Sequence, residues 1–146
     1  MTETVLPASL AEIREDFLAL PEPERLQLLL EFSQELPAMP ARFDGHPEMC
    51  ERVAECQSPV YIVVEVDAED RVAMHATAPA EAPTTRGFAS ILAQGITGLT
   101  VDEVLAIPDD FPQSIGLMRA VSPLRIAGMT GMLMRAKRQV RARSGV

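Results

Sequence analysis

Residues 59–77, PVYIVVEVDAEDRVAMHAT, decide the fold of this chain. The part from 59 to 66 is apolar almost throughout and rich in β-branched side chains, which is typical of a strand covered on both faces. The part from 71 to 77 alternates, so that Val72 and Met74 share one face. The polar residues DAED between the two parts favour a turn, and the segment therefore predicts a β-hairpin.

Two helices are predicted before the hairpin. Residues 9–12, SLAE, match a capping box, and apolar residues recur at helical spacing from there until Pro21. A second helix is expected from about Pro23 to Leu36, where a Leu-Pro pair ends it. Residues 37–48 are rich in proline and polar side chains, and they predict an ordered loop.

Three helices are predicted after the hairpin. The first begins near Thr84 and ends before Gly95, and a short second helix opens at the capping box of residues 100–103. The last helix has Ser122 at its N-cap and runs to about Arg141. Helices thus flank the strands on both sides in the sequence.

This arrangement indicates an α+β fold built on a small antiparallel sheet. A further short strand at about residues 51–54 is weakly signalled. The 146 residues match the usual size of one domain, and neither an internal repeat nor a linker divides them. We therefore expect a single domain over residues 1–146.

Charge is distributed unevenly along the chain, whose net charge is −8. Residues 1–70 carry 16 acidic and 4 basic side chains, whereas residues 71–146 carry 5 and 9. Basic residues suit the end of the last helix, and an acidic chain without interleaved aromatic residues is not expected to bind nucleic acid. No run approaches the ~18 apolar residues of a membrane span. The N-terminus lacks the features of a secretory signal, so the cytoplasm is the expected location.

The polar segment before the hairpin contains a thiol, Cys56, followed by Gln57 and Ser58. A cysteine beside a buried strand is most often an inert core residue. A turn of this kind can also present its side chain at a surface. Cys56 is therefore the first candidate for chemistry in this chain.

Other chemistries find less support. The possible metal ligands His46, Cys50, Cys56 and His75 do not have the spacing of a structural zinc site. A Cys50–Cys56 disulfide would close a very short loop and would meet a reducing cytoplasm. The motifs of nucleotide-binding and hydrolytic enzymes are absent from the sequence. We expect neither a metal nor a resident cofactor.

Residues 53–61, VAECQSPVY, are similar to the signature V-x-G-C-Q-S-x-V-W of the SufE family of sulfur-acceptor proteins. Further segments match that family in the same order: Leu36-Pro37 with Met39-Pro40, Arg86-Gly87-Phe88, Leu117 through Arg125, and Gly128-Met129. The chain therefore resembles the SufE family over nearly its whole length.

The resemblance implies helices packed on a three-stranded antiparallel sheet and a role in iron–sulfur cluster assembly. In that role Cys56 accepts persulfide sulfur from a cysteine desulfurase and passes it on to an Fe–S scaffold. The desulfurase, and not this chain, would hold pyridoxal phosphate, so the chain would be a carrier that activates an enzyme. Arg125 matches a recurrent arginine of the family and is carried over, with Gln57 and Ser58, as a supporting or docking residue.

Glu55 departs from the family pattern, which has glycine at this position. Either the turn does not need a positive φ or it is reshaped here. The Glu55 carboxylate is expected to disfavour the Cys56 thiolate. A thiol of pKa ~8.5 is about one-tenth ionised near pH 7.5, which we expect to suffice for sulfur transfer. The apolar residues expected to shelter the resting thiol are Val60, Ile62, Leu117 and Met118.

Two other interpretations of the thiol stay open. A thiol-dependent enzyme, such as a sulfurtransferase or a peroxidase, would need a nearby base or cation, for which Arg125 and His46 are the candidates. A protein-interaction module would carry Cys56 as an incidental buried residue.

Overall fold

The computed structural model of the protein describes residues 6–144. Its helices and strands are α1 (Ala8–Ala19), α2 (Glu22–Gln34), β1 (Glu51–Arg52), β2 (Tyr61–Val66), β3 (Val72–Thr77), α3 (Pro83–Ile96), α4 (Val101–Leu105), α5 (Phe111–Ser114) and α6 (Pro123–Ser144). A 3-10 turn at Pro47–Met49 precedes β1. None of the helices in the described part of the chain has both the length and the apolar character needed to cross a membrane.

The three strands form one antiparallel sheet in the order β1-β2-β3. Ile62 lies opposite Ala76 and Val64 lies opposite Met74, and these four side chains belong to the apolar core. Helix α3 packs against β3, and helix α6 packs against β2. The predicted hairpin, its alternation and the α+β fold on a small three-stranded sheet are confirmed.

The other face of β2 is covered as well. Val63 is only 2% exposed although it points away from the neighbouring core residues of its strand. The loop before β1 contributes Phe43, whose ring lies 5.9 Å from that of His75, the residue opposite Val63. Part of the loop of residues 37–48 therefore lies over the sheet, and the central residues of β2, Ile62 to Val64, are buried on both faces as its composition predicted.

Helix α3 is the central element of the helical layer. Ten of its 14 residues are buried, among them Phe88, Ile91 and Leu92, and α1, α2 and α6 all pack against it. Such a helix cannot be recognised as central from its own sequence, because one apolar stripe would satisfy a surface helix equally well.

The predicted start of the first helix is wrong. Pro7 occupies the N-cap of α1, and Ser9 lies inside the helix, where its hydroxyl donates a 2.6 Å hydrogen bond to the carbonyl oxygen of Gly95. The Ser9 hydroxyl therefore bonds to α3 instead of capping the N-terminus of α1. The second capping box is confirmed, since Thr100 and Glu103 each satisfy the backbone N–H of the other.

Several helix ends differ from their predicted positions. Helix α2 ends at Gln34, two residues before the expected end. Leu26 of this helix is 37% exposed. Helix α3 continues past Gly95 to Ile96, and α5 has no counterpart in the prediction. Helix α6 begins after Ser122 as expected. One face of α6 is fully buried and apolar, and it consists of Met129, Leu133, Ala136 and Val140.

Candidate functional site

A cleft of about 370 Å³ opens where the turn between β1 and β2 meets the first residues of α3 and α6. The side chains bordering it include Glu55, Cys56, Gln57 and Ser58 from the turn, Glu81, Thr84 and Thr85 from the start of α3, and Ser122, Leu124 and Arg125 from the start of α6. The positive ends of two helix dipoles therefore border one cleft, which favours an anionic occupant.

Cys56 borders this cleft although it is only 8% exposed. Its backbone N–H donates to the carbonyl oxygen of Val53 at 3.1 Å, and the N–H of Val53 donates to Val60 at 2.9 Å, which closes the turn. Gly128 of α6 lies directly against the thiol, since a Cβ there would be 2.9 Å from Sγ. Helix and turn approach this closely only because position 128 is glycine.

Burial raises the pKa of the Cys56 thiol to about 11, the carboxylate of Glu55 adds to the rise, and Arg135 opposes it. The effect of Glu55 has the predicted direction, but burial is the larger cause. At pH 7.5 such a thiol is ionised to about three parts in ten thousand, against about one-tenth for an unperturbed thiol. The resting thiol is therefore far less ionised than the unperturbed thiol assumed from the sequence, because burial disfavours the thiolate.

Glu55 reaches across to α6 rather than into solvent. Its Oε1 accepts hydrogen bonds from Nη2 of Arg135 at 2.8 Å and from Nε at 3.1 Å. Glu51, in β1 just before the turn, accepts from Nη1 of Arg135 at 2.8 Å and from Gln139 at 3.0 Å. Arg138 pairs with Glu51 as well. Arg135 thus bridges strand β1 and the turn that carries the thiol.

The structure explains why glutamate is tolerated where the family has glycine. Among the residues that it describes, Asp70 is the one non-glycine residue with a positive φ, so the turn does not require a left-handed conformation at Glu55. The side chain also finds space on α6, because a Cβ on Gly131 would lie 2.7 Å from its Cδ.

Arg125 is the third residue of α6 and is exposed at the cleft. Its Nη1 lies 3.5 Å from the hydroxyl of Thr84, a buried residue at the start of α3. Within residues 6–144 it forms no ion pair with a carboxylate. Its charge is therefore directed at the cleft.

All five predicted site residues border this one cleft: Glu55, Cys56, Gln57, Ser58 and Arg125. The predicted shelter is correct for Val60, Ile62 and Leu117, which are buried in the same core as Cys56. It is wrong for Met118, whose side chain is 51% exposed.

The remaining cysteine and the histidines lie elsewhere. His46 and Cys50 border a separate hollow of about 200 Å³, and His75 is hydrogen-bonded to Glu65 at 2.8 Å. Both cysteines are free thiols. The described residues contain no group of three or more histidine, cysteine or acidic side chains that could hold a metal ion.

Sequence reasoning missed the residues of α6 that face the turn. They are Gly128, Gly131, Arg135 and Arg138, of which only Gly128 belongs to the matched signature. Their spacing of three and four residues places them on one side of the helix. That pattern of small and cationic residues is the signal in the sequence that could have identified a second contact face.

Comparison with known proteins identifies the family and agrees with the fold. The SufE family, described as an Fe-S metabolism associated domain, matches residues 11–140. A SufE-like protein of Mycobacterium tuberculosis strain H37Rv is 48% identical over 136 residues, which cover 93% of this chain and 94% of that protein. SufE-like protein 1 of Arabidopsis thaliana, chloroplastic/mitochondrial, is 30% identical over 129 residues, which cover 88% of this chain and 33% of that protein.

A solved structure shares the fold. The solution structure of a hypothetical protein from Thermus thermophilus superposes with a TM-score of 0.84 at 33% sequence identity. The superposition covers 97% of this chain and 100% of the other.

Proposed function

Because this chain belongs to the SufE family, whose domain is associated with Fe–S metabolism, we propose that it accepts persulfide sulfur on Cys56 from a cysteine desulfurase. The observation that carries the proposal is a thiol that is 8% exposed and yet borders a cleft with Arg125 at its edge. A carrier needs a thiol that is protected at rest and accessible once a partner is docked.

The proposed transfer is a thiol–disulfide exchange with a persulfide as the electrophile. The Cys56 thiolate attacks the outer sulfur of a donor Cys–S–SH group and forms a new S–S bond to it. The S–S bond of the donor breaks, and the donor cysteine leaves as a thiolate. The transferred sulfur keeps its oxidation state, so the step needs neither an oxidant nor a reductant.

The residues around the cleft suit this exchange. Arg125 and the N-terminal ends of α3 and α6 favour the anionic sulfur species that enter and leave. Gln57 and Ser58 supply polar side chains at the rim, where a partner loop would dock. The same exchange would then deliver the sulfur to an iron–sulfur scaffold, in the cytoplasm.

The environment of the thiol supports a carrier rather than a thiol-dependent enzyme. Peroxidases and similar enzymes act through a thiolate whose pKa is lowered by a neighbouring base or cation. Here burial raises the pKa of Cys56 to about 11, and His46 borders a different hollow. In this proposal the desulfurase provides the catalysis and the pyridoxal phosphate, and this chain stimulates it by removing the sulfur.

Mass spectrometry after incubation with a cysteine desulfurase and cysteine tests the proposal. Wild type and Cys50→Ser should each gain the mass of one sulfur atom, and the gain should be lost on reduction. Cys56→Ser should gain none while keeping its helical circular dichroism. A gain of sulfur by folded Cys56→Ser would exclude Cys56 as the acceptor.

A further inference from the structure

The turn that carries Cys56 has few apolar anchors of its own. Val53 and Val60, at its two ends, are fully buried. Between them Cys56 is the one residue in the core, because residues 54, 55, 57 and 59 are exposed and residue 58 is half-buried. The attachment of the middle of the turn to the rest of the molecule therefore depends on polar contacts.

The contact with α6 contains little interlocking of side chains. Gly128 faces Sγ of Cys56, and Gly131 faces the carboxylate of Glu55, so the turn lies flat against the helix. A flat contact of this kind separates without the repacking that interdigitated side chains would require. Arg135 is the side chain that spans it, with Glu55 and Glu51 as its partners.

The two carboxylates that Arg135 holds differ in how firmly they are fixed. Glu51 also receives hydrogen bonds from Gln139 and Arg138, and the side-chain oxygen of Gln139 accepts from the backbone N–H of Val64 at 2.8 Å. Glu51 is thus tied to β2 and to α6 together. The side chain of Glu55 is 44% exposed, and its ion pair is with Arg135.

We infer that Arg135 is a positioning residue: anchored on Glu51, it latches the Cys56 turn to α6 through Glu55, and release of Glu55 exposes the thiol. This inference rests on the proposed function, since a carrier must uncover Cys56 to accept sulfur. An anionic side chain of a docked partner that competes for Arg135 would open the latch. The latch then couples docking to exposure of the thiol.

Hydrogen exchange of the Cys56 amide measures the latch without involving sulfur chemistry. That amide donates to Val53 within the turn, and Cys56 is only 8% exposed because the turn lies against Gly128 of α6, so separation of the turn from the helix exposes the amide to solvent and accelerates its exchange. We expect Arg135→Gln to accelerate its exchange about fivefold, in line with a partly exposed bidentate ion pair. The matched control is Arg138→Gln. Within residues 6–144, Arg138 forms an ion pair with Glu51 and none with Glu55, so its removal should leave the exchange rate unchanged. Amides in α3 should be unaffected in both variants.

Further variants keep the test decisive if Arg135→Gln does not fold. Glu55→Gln removes the other partner from an exposed position and should accelerate the same amide. Arg135→Lys, which keeps the charge but loses the bidentate geometry, should give an intermediate rate. High salt should accelerate exchange in wild type and not in Glu55→Gln. Equal exchange of the Cys56 amide in wild type, Glu55→Gln and Arg138→Gln would overturn the latch.

The latch and the proposed function can fail separately. If Cys56 acquires no sulfur from a desulfurase but its amide exchanges faster in Arg135→Gln and Glu55→Gln, the latch stands and the carrier role falls. If Cys56 acquires sulfur normally and neither variant changes the exchange rate, the carrier role stands and the latch falls.

Discussion

The two cysteines lie six residues apart in one segment, yet they differ in solvent exposure and in the cleft that each of them borders. Cys50 follows a 3-10 turn, is half-buried, and borders a hollow beside Phe43 and His46. Cys56 is nearly inaccessible and borders the larger cleft at the start of two helices. Burial raises the pKa of both thiols, and that of Cys56 reaches about 11.

Judged by solvent exposure alone, Cys50 would be the more reactive thiol, because it is half-buried whereas Cys56 is 8% exposed. A carrier, however, benefits from a thiol that does not react with every small electrophile in its surroundings. Cys56 combines a bordering cleft, Arg125 at the edge of that cleft, and a turn that meets α6 through two glycines. The comparison supports the proposal that the reactivity of Cys56 is conditional on docking of a partner.

The largest expected effect is a difference in alkylation between the folded and unfolded chain. In the folded protein at pH 7.5, neutral iodoacetamide should label Cys56 about 300-fold more slowly than in denaturant, because its pKa of about 11 lies about 2.5 units above the ~8.5 of an unperturbed thiol. The rate should rise about tenfold per pH unit up to about pH 11, since the raised pKa delays ionisation. Peptide mass spectrometry over time measures both cysteines, and Cys50 serves as the internal control. Equal labelling of Cys50 and Cys56 at neutral pH would end the distinction between them.

The second prediction concerns Gly128 of α6, where a larger side chain would displace the Cys56 thiol. In Gly128→Ala the new methyl group would lie 2.9 Å from Sγ, so the thiol must rotate away from the helix or the turn must move outward. We expect Cys56 to be alkylated roughly 30-fold faster, with a net loss of stability of about 1–2 kcal/mol after the helix-favouring effect of alanine. Gly131→Ala is the control, because it displaces only the flexible end of Glu55 and should accelerate labelling much less. If Gly128→Ala is stable and its Cys56 is labelled at the wild-type rate, the prediction is wrong and Sγ does not lie against Gly128.

The third prediction concerns partner binding at the cleft. Arg125→Ala should weaken stimulation of a desulfurase about fivefold to tenfold, because a charge-assisted contact is lost. Its Tm should stay within about 2 °C of wild type, since an exposed arginine near a helix N-terminus contributes little to local stability. Arg119→Ala is a suitable control, because Arg119 is 86% exposed and does not border the cleft. A large drop in Tm with unchanged stimulation would make Arg125 a structural residue.

Much of the fold was predictable because it depends on local pattern. The hairpin follows from β-branched and alternating residues, and the capping box at Thr100 uses neighbours in the sequence. The capping box at Ser9 failed because a residue 86 positions away competes for the same hydroxyl. Local patterns fix an element when no distant group offers a better partner.

The candidate site was predictable only in part, for the same reason. The signature around Cys56 identified the turn, and the matched segment that ends at Arg125 identified that arginine. Nothing local, however, indicates that Arg135 bridges two carboxylates 80 and 84 positions away. Lys137 also looked like part of a solvated basic end. It is 4% exposed, and its ammonium group donates to the carbonyl oxygen of Ile107 and to Asp109. The partners and the burial of such charged side chains can be predicted only when it is known which faces of the helices meet.

The smallest expected effect tests the charge beside the thiol. Glu55→Gln removes a carboxylate that raises the pKa of Cys56 and leaves Arg135, which lowers it, in place. Loss of the carboxylate favours the thiolate, so the pKa read from the alkylation profile should fall, and this fall by itself should make alkylation at neutral pH about two- to threefold faster, an effect limited by solvent screening. The difference should shrink at high salt. Glu55→Gly removes the same charge and adds backbone freedom, so a further gain in that variant measures the flexibility of the turn. Coincident profiles of alkylation rate against pH for wild type and Glu55→Gln would mean that burial alone holds the thiol protonated.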